Sequence, residues 1–415
     1  MAVGSEMPTA SREPASSRWG PFARIAFTTI WVGNIVYNTG NAMWDAGSPV
    51  LMASLNASPL ILSLIQVAIS LPIFLLTLPA GAITDIVDLR RLLITVETIA
   101  AAVAAVFAFL VEMKVATPFS LLISTFLLGV CGALAAPGWV AIVPRLVPPR
   151  ELEGAIAANT VGYNLTRAIG PMFGGLAMAE YGIAAPFWTC SASHLAIIGA
   201  LILWRGQGRC ADPNPRQDFR SAFRDGLRLA ADNRGLRATL VRAVAFCLFA
   251  SAYWALLPVV AERQMGAAPE LYGFLLGAIG VGAIAGSFVL GWFRARLGPG
   301  RVVDIGTLGT ALALFLFAAA RDPATAVSAC LIAGACWTVN LTTLFVSAQV
   351  ALPDWLRGRG LAILLTAIFG AMTVGSLAWG QTAESAGDSA AFVVAGLCNM
   401  LVIPLASRWK LLTVT

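Results

Sequence analysis

The chain is 415 residues long, 58% hydrophobic and only 12% charged, with a mean hydropathy of +0.81. Soluble domains carry about a quarter charged residues, so this composition excludes a water-soluble globular protein and makes a lipid bilayer the expected solvent. The net charge of +6 does not point to nucleic acid, because the basic residues are almost all arginines beside apolar runs, where the positive-inside bias puts them.

The chain opens with a polar leader rich in Ser, Glu, Pro and Arg that has no cleavage-site pattern, so residues 1–23 are read as a retained cytoplasmic tail. Apolar runs of spanning length, bounded by Gly, Pro and charge breaks, then predict helices at 24–52, 60–81, 92–112, 117–142, 153–179 and 185–204. The longest hydrophilic stretch follows, a cytoplasmic linker over 205–237 that carries Arg209, Arg216, Arg220, Arg224, Arg228 and Arg234 among four aspartates. Its Phe219, Phe223 and Leu227 predict an amphipathic surface helix. Six further runs fall at 238–261, 271–293, 302–320, 324–348, 359–382 and 390–407, before a short tail at 409–415. The reading is an all-α integral membrane protein of twelve transmembrane helices in two six-helix pseudo-symmetric halves, 24–204 and 238–408.

Arginines and lysines sort by side. The tail, Arg90 and Arg91, Arg145 and Arg150, the linker, Arg294, Arg296, Arg301, Arg357, Arg359, Arg408 and Lys410 share one face, against Lys114, Arg263 and Arg321 opposite. That asymmetry puts both termini in the cytoplasm of a cell with the chain in its inner membrane. Trp19, Trp204, Trp292, Trp355 and Trp409 would anchor the same interface. Of the seven cysteines, Cys210 is in a loop and Cys131, Cys190, Cys247, Cys330, Cys336 and Cys398 are in apolar runs, without metal-type spacing or a disulfide frame, so they read as small apolar fillers. No nucleotide loop of the Gly-Lys-Ser/Thr type and no His-Glu-x-x-His pair is present, and no loop is large enough to house catalysis. An enzyme, a cofactor and a metal are therefore not expected.

Several motifs bear on identity. Leu78-Pro79-Ala80-Gly81-Ala82-Ile83-Thr84-Asp85-Ile86-Val87-Asp88-Leu89-Arg90-Arg91 lies between the second and third helices, and Asn164 and Arg167 precede Gly170-Pro171-Met172-Phe173-Gly174-Gly175 in the fifth. Ala255-Leu256-Leu257-Pro258 is followed by Tyr272-Gly273 and by Gly280, Gly282 and Gly286. Leu352-Pro353-Asp354-Trp355-Leu356-Arg357-Gly358-Arg359 then leads to Phe369-Gly370, Gly375-Ser376 and Trp379-Gly380. Together these resemble the major facilitator superfamily, in the branch of enterobactin exporters and macrolide efflux proteins, over nearly the whole chain.

The resemblance implies an exporter of a small hydrophobic or amphipathic molecule, a siderophore, macrolide or other drug or metabolite, working as a monomer by alternating access and proton antiport. An importer of the same fold and a non-transporting membrane receptor are the alternatives. The resemblance makes Asp85, Asp88, Arg90 and Arg91 a conformational latch, against the plainer reading of a solvated turn; Ile86 and Leu89 stand where the branch often has basic residues. It makes Gly170, Pro171, Gly174 and Gly175 an antiporter-type motif, although Thr166 replaces its upstream glycine. The helix-4 arginine of many drug antiporters is absent, since that stretch reads Leu127-Leu128-Gly129-Val130-Cys131-Gly132.

Other candidates come from the residues themselves. Arg167 is a charge in the middle of a predicted helix, and such a charge normally faces the interior or a partner; the alternative is a structural tie to a helix-end carbonyl or to Glu97. Asn34, Asn38 and Asn41 share one face of the first helix and point into a cavity or bond neighbouring helices. Asp45 follows them, as a carrier of a coupling proton or as an acid at the outer mouth. His194, the single histidine, suits a proton-coupled step or is simply hydrogen-bonded. Tyr163, Tyr253, Trp254, Trp337, Asn340 and Phe369 line the cavity if their helices face it as the resemblance implies, and otherwise pack against helices or lipid.

Overall fold

A computed structural model describes residues 20–55, 58–204, 233–261, 269–352, 356–406 and 408–411. The leader, the amphipathic stretch of the linker, Arg263 and Trp355 lie outside these residues. The described chain is helical, without a strand among the described residues: α1 (Ile25–Ser54), α2 (Pro59–Ile86), α3 (Leu89–Glu112), α4 (Pro118–Leu146), α5 (Leu152–Tyr181), α6 (Ala185–Leu203), α7 (Arg234–Val259), α8 (Pro269–Ala319), α9 (Pro323–Val350), α10 (Arg357–Ala386) and α11 (Asp388–Ala406).

The helix starts follow local chemistry. Ser58, Asp88, Thr117, Asn233 and Asp322 each accept a backbone N–H of the first turn, and proline opens α2, α4 and α9, where its missing N–H costs nothing. α5 and α10 end on Gly182 (φ 87°) and Gly387 (φ 90°), in the left-handed region that favours glycine. The runs predicted at 271–293 and 302–320 are two arms of α8, which doubles back at Gly298 (φ 74°) beside Pro299. Most helices outrun their predicted bounds, α2 to Ile86 and α4 to Leu146, because hydropathy marks the lipid-immersed stretch whereas hydrogen bonding carries a helix on into the polar interface.

Nine segments among the described residues are long and apolar enough to cross a membrane, from α2, α3, α4 and α6 to α11. α1 and α5 fall outside this set. They carry the polar residues Asn34, Asn38, Asn41 and Asp45, and Glu153, Asn159, Asn164, Arg167 and Glu180. These two helices pack on each other; α1 also touches α2, α4, α6, α7 and α8, and α5 lies along α8. Polar residues are thus concentrated on two helices that pack against each other and against both helix sets.

The short connections alternate the helices up and down, so one end of the bundle holds the described chain's two ends and the far end holds the connections at 55–58, 113–117 and 320–322. Two apolar cores fill the bundle. The first runs through all of α7 to α11 and continues into the far-end parts of α1 to α4 and α6, through Trp44, Met52, Leu62, Phe107 and Phe187. The second contains Phe27, Ile30, Leu89, Leu93, Ile142, Leu146, Ile197 and Trp204, all at the terminus end of α1 to α6. The core is therefore continuous between α1–α6 and α7–α11 at the far end and divided at the terminus end.

That far-end seam consists of α2 against α10 and α5 against α8. The Ser70 and Thr373 hydroxyls are 2.8 Å apart and the Leu60 N–H is 3.5 Å from Glu384 Oε2. Glycine permits the approach: a Cβ on Gly380 would lie 1.9 Å from Ser63 Oγ, and one on Gly280 would lie 2.7 Å from Ala168 Cα.

Candidate functional site

The Gly170-Pro171-Met172-Phe173-Gly174-Gly175 motif wedges α5 between α1 and α8. A Cβ on Gly170 would meet Ala42 at 2.6 Å, and one on Gly174 would meet Met43 Cα at 3.1 Å. On the other side Gly273 of α8 rests against the Pro171 carbonyl and Gly175. This tight fit holds Arg167, one turn earlier, in fixed relation to α1.

Arg167, Asn164 and Tyr163 of α5 and Asp45 of α1 are all exposed within the described chain although they sit at mid-helix. The Arg167 guanidinium lies 5.9 Å from the centre of the Tyr163 ring. Its charge acts on Asp45 of α1 and on Tyr253 of α7, and the Asp45 charge acts on Tyr272 of α8. Among the described residues Asp45 and Arg167 form no direct ion pair. Trp254 stands beside Tyr253 (ring centres 5.4 Å apart) and meets Trp337 edge-on at 5.6 Å. The result is a polar pair backed by aromatic surface, the composition of a small-molecule pocket.

Asn34 and Asn38 lie nearer the terminus end. Asn38 donates its side-chain amide to both the backbone and side-chain oxygens of Asn34, and Asn41 donates to the Tyr37 carbonyl at 2.9 Å. Asn34 borders two adjoining narrow clefts, one between α1, α4 and α5 and one between α1 and α5, that share Trp31 and Asn159. Asn340 is elsewhere, buried on α9 and donating to Thr307 of α8 at 3.4 Å.

The residues proposed as a latch separate. Asp88 caps α3 by accepting the Arg91 N–H at 2.8 Å, and Arg90 donates to the Leu201 and Ile202 carbonyls, both at 2.8 Å, closing the end of α6. Arg91 is exposed. Asp85 lies in the last turn of α2, and its side chain falls outside the described residues.

Two constellations escaped the sequence reading. His194 does not join Asp45 and Arg167: it is buried on α6, with Nδ1 2.6 Å from Oε2 of Glu97 on α3. Glu97, weighed above as a partner for Arg167, has His194 instead, and its second oxygen accepts Trp139 Nε1–H of α4 at 3.2 Å. Arg242 of α7, also buried, pairs with Asp304 of α8 at 2.8 Å and donates to the Trp409 carbonyl at 2.9 Å. One signal would have found both: isolated opposite charges inside apolar helices pair because an unpaired ion in a low dielectric is costly.

The chain matches the transmembrane secretion effector family over residues 16–414. It belongs to that family of the major facilitator superfamily. The chain is 24% identical over 401 residues to the multidrug efflux pump Tap of Mycolicibacterium fortuitum, covering 93% of this chain and 95% of that protein. It is 30% identical over 204 residues to the enterobactin exporter EntS of Shigella boydii and 27% identical over 223 residues to the staphyloferrin A transporter of Staphylococcus aureus. Those matches cover only about half of each protein, 47% of EntS and 55% of the staphyloferrin A transporter. Among solved structures the nucleoside transporter NupG superposes with a TM-score of 0.79 at 10% identity, covering 92% of this chain and 99% of that one. A bacterial homologue of the lysosomal transporter Spinster superposes at 0.71 with 13% identity, covering 92% and 96%. Family and relatives together make this a multi-pass membrane transporter whose relatives are efflux pumps and siderophore exporters.

Proposed function

We propose that the protein is a secondary active exporter of a small hydrophobic or amphipathic molecule, a siderophore, macrolide or other drug or metabolite, exchanged for protons. In this reading α1 to α6 and α7 to α11 are two six-helix halves of a twelve-span monomer, the two arms of α8 counting as separate spans. Both termini face the cytoplasm, and the halves rock about cargo bound between them.

The observation that supports it best is the division of the apolar core at the terminus end while the far end stays continuous. With the termini cytoplasmic, this is the state that admits cargo from the cytoplasm. Asp45 and Arg167 then offer opposite charges to an amphipathic cargo, and Tyr163, Trp254 and Trp337 offer flat apolar surface. Rocking would part α2 from α10 and α5 from α8 and close the divided end.

The reading is tested by extrusion of a panel of siderophores, macrolides and dyes from cells expressing the protein, with and without a protonophore. Protonophore-sensitive extrusion of at least one compound is expected. Faster accumulation inside the cells than in controls, with nothing extruded, replaces export by import, and no substrate-dependent flux in either direction leaves a receptor.

A further inference from the structure

We infer that Glu97 and His194 form a proton-binding site inside the N-terminal bundle, apart from the cargo cavity, and that this site carries the exchanged proton. The inference rests on the antiport reading and names the group that serves it.

The pair is shut away from lipid and water: Glu97 is 1% exposed and His194 2%. Nδ1 of the ring lies 2.6 Å from Oε2 of the carboxylate, so one proton sits between them. The other ring nitrogen, Nε2, is buried and has no hydrogen-bond partner among the described residues. An orphaned nitrogen in an apolar site is a vacancy for a second proton. With one proton the pair carries a net charge of minus one; a proton added at Nε2 makes an imidazolium facing a carboxylate, with zero net charge. Binding and release move only that proton, and no bond between heavy atoms changes.

The surroundings offer no competing cation. Tyr37 approaches from α1 with its ring edge-on to His194, the centres 5.1 Å apart. Trp139 donates to Glu97 from α4 and Cys190 lies one turn before His194 on α6; the Glu97 charge also acts on Tyr37, Cys131 and Cys190, and the Asp45 charge of α1 acts on Cys190. Arg90, two turns before Glu97 on α3, is held by the α6 carbonyls. Among the described residues the ion-pair partner of Glu97 is His194 alone.

Geometry also couples the site to the halves' motion. Tyr37, against the imidazole, is on the same helix as Asp45 and the asparagine stripe, and α1 contacts both sets of helices. α1 sits close against α6: a Cβ on Gly40 would lie 2.1 Å from Ser193 Oγ, one residue from His194. Trp139, which donates to Glu97, also lines the cleft that α1 shares with α4 and α5. A shift of α1 therefore moves one wall of the proton site and one wall of the cleft together.

Because the chain has a single histidine, ring-¹⁵N histidine NMR of the full-length protein in nanodiscs, purified without a histidine tag, reads this site alone. The ring is expected to be seen in both its neutral and its doubly protonated form as pH is varied, and only in its neutral form in Glu97→Gln, where no carboxylate offsets the buried cation. A wild-type ring that keeps one protonation state as pH is varied overturns the site. For the transport role, protonophore-sensitive ethidium extrusion is expected in wild type and lost in both Glu97→Gln and His194→Gln. Retention of that extrusion at the wild-type rate in Glu97→Gln overturns the role. Wild-type cells that extrude ethidium and the other compounds of the siderophore, macrolide and dye panel without protonophore sensitivity, or extrude none of them, overturn the exchange reading and this role with it, and the NMR titration tells that failure from a failure of the site.

Discussion

The far-end seam and the terminus end of each helix set are held by different chemistry. Across the seam the contacts are glycine-backed and weakly polar: Gly380 on Ser63, Gly280 on Ala168, the Ser70–Thr373 hydroxyl pair and the long Leu60–Glu384 contact. Near the termini the ties stay inside one set and involve full charges. Arg24 meets Glu151 at 2.9 Å, Arg90 closes α6, and Arg242 binds Asp304 and the Trp409 carbonyl. Breaking an ion pair in a low dielectric strands two charges, whereas parting small residues exposes little and strands none. The charged ties among the described residues thus lie within each set, and the seam that the proposed cycle would part is joined by smaller, weaker contacts.

The largest effect that would break this contrast is expected at Arg242. Arg242→Met removes the partner of Asp304 and of the Trp409 and Gly300 carbonyls, and loss of about 3–5 kcal/mol is expected, seen as a lower thermal unfolding midpoint of the purified protein in detergent. Unchanged stability would mean that the bundle is not held by this tie. Next comes Gly280→Leu, which overpacks the α5–α8 contact by about 1–3 kcal/mol. It should favour the far-end-open form by roughly 5- to 150-fold, read as spin-label distances that widen across the far end while the unfolding midpoint falls little.

Ser70→Ala sharpens the same contrast on a smaller scale. It removes one hydroxyl contact at the seam, worth about 0.5–1.5 kcal/mol, and the distance distribution should shift in the same direction by less. The smallest effect is at Asp322, the exposed cap of α9. Hydrogen bonds from the Thr325 side chain and backbone hold its carboxyl below the usual carboxylate range. A group whose folded-state value is depressed stabilises the fold above that range and loses the contribution as pH falls through the folded value. Asp322→Ala should therefore lower the unfolding midpoint slightly at neutral pH and not at all in acid.

Much of the fold was legible because hydropathy reads spanning length directly: the apolar runs coincide with the helices, and glycine and proline mark turns such as Gly298. The helix ends were less so, since α3 starts at Leu89 and α7 at Arg234, where capping by Asp88 and Asn233 decides and polarity gives no warning. The asparagine face of α1 and the α5 motif were visible as periodicity and composition. What they touch was not, because partner choice depends on helix rotation and neighbours. Thus Glu97, one of two structural ties weighed for Arg167, pairs in the fold with His194, and Asn340 lies between α8 and α9, away from Asp45 and Arg167.

The central claim, that the far-end seam opens and closes during transport, is tested most directly by locking it. Ser70→Cys with Thr373→Cys places two thiols across α2 and α10 where the native hydroxyls are 2.8 Å apart, and ethidium extrusion by cells carrying the double variant is then followed under oxidant and after reduction. The account predicts that oxidation stops extrusion and reduction restores it. Extrusion that continues at the unlocked rate while the cross-link is complete would contradict it, since cargo would then leave by a route that never parts this seam.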